Sequence, residues 1–260
     1  MVMTVATAPG AIAAAINGFS TGYHADYFAV RCLAKAYLAA PPSHATTMPL
    51  ASTLSGVLTR WGAGRRGAPT CQPVTTMGNA LNCPILHSQL RNLEACIPFL
   101  AITVGTRCLA AGAPFAAVYG FDDCLIDTLS VLSNRLLVAN TNVTYPMKSL
   151  LLLTGLMPAF DSQVKGGLAA AGVAGIKKTR YLLPALGSSD AKKICALPFY
   201  IADCISRQHA IIAREAASSS YPALVSEHGR IFDVLLFMQN GAGHVTVHFA
   251  PPAHIRWYAI

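Results

Sequence analysis

Lys148 and Asp161 flank one apolar segment, which runs from Tyr145-Pro146-Met147-Lys148 through Leu150-Leu151-Leu152-Leu153 to Met157-Pro158-Ala159-Phe160-Asp161. A lysine amine becomes a nucleophile once it has lost its proton, which an apolar pocket favours. A neighbouring carboxylate can activate that amine or stabilise positive charge on the carbon it attacks. The same two residues also have plainer roles. Asp161 precedes a helix start at Ser162 and can cap it, which contributes about 0.5–2 kcal/mol, while Lys148 can be a solvated residue of a first turn. Types and spacing alone leave both pairs of roles open.

Two basic, glycine-rich segments could bind phosphate. In Arg60-Trp61-Gly62-Ala63-Gly64-Arg65-Arg66-Gly67 the glycines free the backbone and Arg65 and Arg66 offer planar forks for phosphate. Trp61 can stack on a base or anchor the core. It is not a phosphate-binding P-loop, because no Gly-Lys-Ser/Thr follows. In Ala171-Gly172-Val173-Ala174-Gly175-Ile176-Lys177-Lys178-Thr179-Arg180 a glycine-bounded turn could aim backbone N–H groups at a phosphate. Lys177, Lys178 and Arg180 would neutralise it without reading sequence, or they form a solvated helix end.

Other chemistries lack their signatures. The eight cysteines include no Cys-x-x-Cys pair, and His244, His248 and His254 have no carboxylate close by, so no metal site and no cofactor is expected. No Gly-x-Ser-x-Gly occurs, and no cysteine has a histidine beside it in sequence. Asp203 and Asp233 sit in apolar helical patterns and are expected to pair with arginines rather than to do catalysis.

Composition sets the frame for these sites. Hydrophobic residues make up 53% of the chain and charged residues 12%, which implies a compact fold. Mean hydropathy is +0.46, but the uncharged stretches are broken by proline and polar residues, so no membrane span is expected. The first 25 residues contain neither Lys nor Arg, which points away from a secretory leader. With its dilute cysteines the chain reads as cytoplasmic. The net charge of +8 is uneven: residues 1–93 and 165–260 are basic, whereas 94–163 is slightly acidic. Basic ends around an acidic middle can lay a positive face on a polyanion, of which nucleic acid is the usual case. An incidental basic composition is the other reading.

The elements that must position these residues are helical. Alanine and leucine recur at three- and four-residue spacing, predicting helices over 11–17, 25–39, 51–61, 87–111, 122–138, 145–156, 162–171, 190–216 and 222–238. Residues 62–83 read as a long irregular stretch, and Val245-Thr246-Val247-His248-Phe249 as a lone strand with little to pair with. The expected fold is therefore all-α: a single multi-helix domain over 1–240, with lobes 1–83 and 84–240 flanking a groove, and a tail over 241–260.

Around Lys148 and Asp161 the chain resembles the helix-hairpin-helix DNA glycosylases, in particular their 8-oxoguanine glycosylase-like branch. Pro158-Ala159-Phe160-Asp161-Ser162-Gln163-Val164 is similar to that family's Pro-Val-Asp-Thr-His-Val, with one residue inserted between the proline and the aspartate. The family's catalytic lysine lies one helix upstream, where this chain has Lys148. The Lys148 to Asp161 interval is shorter than the family's, and the glycine-rich turn follows the aspartate instead of preceding the lysine. The resemblance implies base excision from DNA, with Lys148 attacking the sugar C1′ and Asp161 stabilising the charge that develops there. Without that chemistry, a nucleic-acid-binding or protein-interaction helical domain is the alternative.

Overall fold

In the computed structural model, the described residues are 2–5, 8–140, 142–173, 185–240 and 246–250. They form ten α-helices and three two-stranded antiparallel ribbons, so the expected all-α architecture is what this chain adopts. The helices are α1 (Ala11–Gly18), α2 (Thr21–Ala39), α3 (His44–Arg60), α4 (Val74–Leu81), α5 (Pro84–Cys96), α6 (Val118–Leu136), α7 (Thr144–Thr154), α8 (Ser162–Ala170), α9 (Ser189–Ser218) and α10 (His228–Gln239). The strands are β1 (Val2–Val5), β2 (Thr70–Cys71), β3 (Leu100–Thr103), β4 (Thr106–Leu109), β5 (Leu137–Val138) and β6 (Val247–Ala250).

The apolar segment of the sequence is the centre of the fold. Every residue of α7 from Tyr145 to Thr154 is buried, and α2, α3, α5 and α6 pack around it. A helix apolar on all sides has no face for solvent, so it becomes the post around which amphipathic helices arrange theirs. Its buried serine and threonine hydroxyls are satisfied within the helix: Ser149 donates to the Tyr145 carbonyl and Thr154 to that of Leu150. It ends at Gly155, whose φ of 68° suits glycine and whose N–H donates to the Leu151 carbonyl. A Cβ there would come within 2.9 Å of the Glu227 carboxylate.

Several elements differ from those the periodicity predicts. The helix expected over 87–111 stops at Cys96, where Pro98 in a short 3₁₀ turn (Ile97–Phe99) ends it. The β-branched residues beyond form the hairpin β3–β4 around Val104-Gly105, both at positive φ. Inside the stretch read as irregular lies α4, whose Thr, Gly and Asn are poor helix formers. Met77, Gly78 and Leu81 bury it, and its main neighbour is α3, whose Met48 side chain would have to shift for a Cβ on Gly78. Helix α3 begins seven residues before Ala51, at a capping box in which Ser43 and Thr46 bond reciprocally.

The strand expected near the C-terminal end does have a partner, because β6 pairs antiparallel with β1. Gln208 holds the outer side of β1. Its backbone leaves helical geometry within α9, and its side chain accepts from the Val5 N–H at 2.8 Å and donates to the Val5 carbonyl at 3.2 Å. No helix among the described residues is long and apolar enough to cross a membrane.

Candidate functional site

Lys148 is the one charged residue in α7, and it is buried rather than solvated, with a relative exposure of 9%. Its Nζ donates to the Trp61 carbonyl at 2.9 Å, at the C-terminal end of α3, where the helix dipole favours a cation. The ammonium also lies 5.0 Å from the centre of the Tyr145 ring. Asp161 stands 3.8 Å away.

Asp161 serves two elements at once. One oxygen, Oδ1, accepts from the Gln163 and Val164 N–H groups at 3.0 and 2.9 Å and so caps α8. The other, Oδ2, faces Lys148. Cap and ion pair are therefore simultaneous here: the capping bonds fix the carboxylate, and the fixed carboxylate meets the amine. Burial holds the Lys148 amine below its ordinary pKa, and the nearby charges of Asp161 and Asp233 oppose that shift without cancelling it.

Around this pair lies a small recess of about 60 Å³, lined by the rings of Phe19, Tyr23, Trp61 and Phe237 and by Ala159. A second ion pair completes it. Arg230, 1% exposed, donates to Asp233 Oδ2 at 2.6 Å and to the Tyr23 carbonyl at 3.0 Å. Its guanidinium lies 4.9 to 5.3 Å from the ring centres of Phe19, Tyr27 and Trp61, a cationic group in an aromatic cage. Asp233 also accepts from the Ala159 N–H at 3.2 Å. Burial pushes its carboxyl up to about 6, against the pull of Arg230, and the nearby charge of Asp161 adds to the rise.

Trp61 is a wall of this recess and not a free stacking platform. Its indole N–H donates to Asp26 at 3.0 Å, and Arg60 grips the same carboxylate at 2.9 Å. Tyr23 meets the indole edge-on at 5.7 Å. The loop that follows holds Gly62, Gly64 and Gly67, all at positive φ, and exposes Arg65 and Arg66. Arg65 is close enough for its charge to lower the pKa of both Lys148 and Tyr145. No matching family model, curated protein or solved structure accompanies the chain.

The structure thus gathers Trp61, Lys148 and Asp161 into one site with Arg65 nearby. Lys177, Lys178 and Arg180 lie outside the described residues. Among those described, no group of three or more His, Cys, Asp or Glu side chains could hold a metal ion. Asp203 and Asp233 both pair with arginines, Arg207 and Arg230 respectively. Sequence reasoning did not place Arg230 and Asp233 beside Lys148. The signal was there: an Arg and an Asp three residues apart, on one face of an otherwise apolar helix, can be accommodated only as a buried pair.

Proposed function

We propose that this recess is the nucleophile site of a helix-hairpin-helix-like DNA glycosylase, with Lys148 as the attacking amine and Asp161 as its carboxylate partner. The observation that carries the reading is the desolvated amine, 3.8 Å from a carboxylate fixed at a helix N-terminus, inside an aromatic recess. Desolvation favours the neutral amine, which alone can attack. In the reaction the Lys148 nitrogen forms a bond to the sugar C1′ as the C1′–base bond breaks, and the base leaves with the bonding electrons. Asp161 offsets the positive charge that develops on the sugar and takes up the proton the amine releases. The C1′–O4′ bond then breaks, O4′ takes the proton that Asp161 holds, and a protonated imine is left between Lys148 and C1′.

The cavity holds only a few water-sized groups, so entry of a base requires the half-buried ring of Tyr23 to move aside. Arg65 and Arg66, exposed in the loop that follows Trp61, would neutralise phosphates of the bound strand. Those two arginines also support a second reading, a nucleic-acid-binding domain without chemistry.

Borohydride reduction of the protein mixed with duplexes carrying an abasic site or oxidised guanine separates the readings. A covalent adduct is expected with wild type, none with Lys148→Ala, and about 100-fold less with Asp161→Asn. Salt-sensitive binding with no adduct leaves the binding domain, and neither signal removes nucleic acid altogether.

A further inference from the structure

The reaction just described makes no use of Arg230 and Asp233, yet both are buried in the same recess. Their contacts lead back to Asp161. Asp233 accepts from the backbone of Ala159, two residues before Asp161, within the non-helical turn that joins α7 to α8. Thr144 anchors the same turn by donating to the Phe160 carbonyl at 3.1 Å. The start of α10 closes it from behind: a Cβ on Gly229 would come within 2.2 Å of the Gly155 carbonyl oxygen and 2.7 Å of the Met157 nitrogen. With so little free space, the turn follows α10, and α10 presents its only Arg and Asp to the recess.

We infer that the Arg230–Asp233 ion pair is a positioning and charge-setting element for the Lys148 amine. Its carboxylate anchors the turn that carries Asp161, and its balance of charge decides how readily the amine gives up its proton. The inference rests on Lys148 being the working nucleophile, although its test needs no nucleic acid. The charged and titratable groups around the amine are few. Helix α8 contributes Asp161, α10 contributes Arg230 and Asp233, and α7 itself contributes Tyr145. Helix α2 contributes Tyr23 and, behind Trp61, Asp26 paired with Arg60 of α3; the loop after α3 contributes Arg65. Asp233 works against the desolvation of Lys148, while Arg230 neutralises Asp233 and keeps that opposition weak. Arg230 thus acts on the amine through Asp233, so losing one half of the pair or the other moves the amine in opposite directions.

Opposite shifts make the role measurable. The ¹⁵Nζ resonance of Lys148, assigned by its loss in Lys148→Met, reports the protonation of the amine across pH. Arg230→Met leaves Asp233 uncompensated and is expected to raise the midpoint by about one pH unit. Asp233→Asn leaves Arg230 uncompensated and is expected to lower it by a similar amount. A pair that only props up the fold would lower the melting temperature in both variants and leave the midpoint where it is, or move it the same way in both; either outcome overturns the inference. Because the direction is prescribed for each, one folded variant suffices. Where the lone buried charge unfolds both, wild type carries the test: the Lys148 resonance must show a second inflection as Asp233 ionises, and a single inflection overturns the inference. Borohydride trapping of wild type on abasic duplex keeps the two ideas apart. Trapping with unmoved midpoints refutes the charge-setting pair alone, whereas opposite midpoint shifts without trapping refute the nucleic-acid chemistry alone.

Discussion

Helix α7 touches a buried ionic cluster towards each end, and the two are built to opposite specifications. Beyond its C-terminal end, Glu227 accepts from Tyr27 at 2.6 Å and from Arg31 at 3.1 Å, and pairs with Lys35 at 2.5 Å. Arg31 goes on to donate to the Leu153 carbonyl at 2.8 Å and to pair with Glu94. Burial alone would push Glu227 up, but Arg31, Lys35 and Tyr27 outweigh it and hold the carboxyl below its usual range. At the Lys148 recess the balance tips the other way: burial wins, the amine is held low and Asp233 is pushed up to about 6. The first cluster is comfortable in its charged state and the second is not. Groups kept in an uncomfortable charge state beside an open cavity are a recurring mark of sites that do chemistry, whereas fully satisfied clusters hold folds together.

The largest expected effect breaks the comfortable cluster. Glu227→Gln leaves Arg31 and Lys35 without their shared carboxylate and should cost about 3–5 kcal/mol in urea denaturation. Lys148→Met, by contrast, removes a charge the fold pays to bury. Asp161 keeps its two capping bonds, so stability should change by less than about 1 kcal/mol or rise, while adduct formation disappears. Equal destabilisation by the two substitutions would erase the distinction between the clusters.

Acid titration sharpens the contrast. Burial pushes the Asp233 carboxyl up to about 6 from an ordinary 3.8, so the folded state binds the proton more tightly. Its contribution to stability is therefore full below about pH 4 and is lost as pH rises to 6. His24 acts in the opposite sense. Buried and bonded to the Ile16 carbonyl at 3.1 Å, it is pushed down to about 4, so its contribution is full above pH 6.5 and is lost as pH falls towards 4. The two nearly offset one another in wild type over that window. Removing the carboxyl with Asp233→Asn should leave His24 unopposed, and stability should then climb more steeply from pH 4 to 6.5, by roughly 1–3 kcal/mol over the range. Urea titrations of the two proteins at stepped pH check it; parallel curves would refute the raised carboxyl.

How much of this was legible beforehand follows the range of the interactions involved. The apolar run Leu150–Leu153, the proline turn and the aspartate before Ser162 are local, and they placed α7, α8 and the cap correctly. The burial of Lys148 was not local. It depends on the Trp61 carbonyl arriving from α3 and on α10 closing over the turn, contacts separated by long stretches of chain. The same holds for β1 with β6, whose pairing joins the two ends of the described chain, and for α4, where packing on α3 overrides Thr, Gly and Asn. Arg230 and Asp233 fall between these cases. Their spacing foretold a pair, but nothing in the sequence set that pair beside Lys148.

The smallest expected effect lies outside both clusters, at the glycine loop after α3. Arg65 and Arg66 are exposed and belong to no buried network, so Arg65→Ala and Arg66→Ala should each change stability by no more than about 0.5 kcal/mol. If they meet phosphates, each substitution should reduce the slope of log binding constant against log salt by about one, equally for every duplex sequence. Arg65 has a second consequence that Arg66 lacks. Its charge lies close enough to lower the Lys148 pKa, so Arg65→Ala should also move adduct formation to slightly higher pH, while Arg66→Ala leaves the pH profile unchanged. A loop that only binds would give two indistinguishable variants; a difference in pH profile alone would tie the binding surface to the amine.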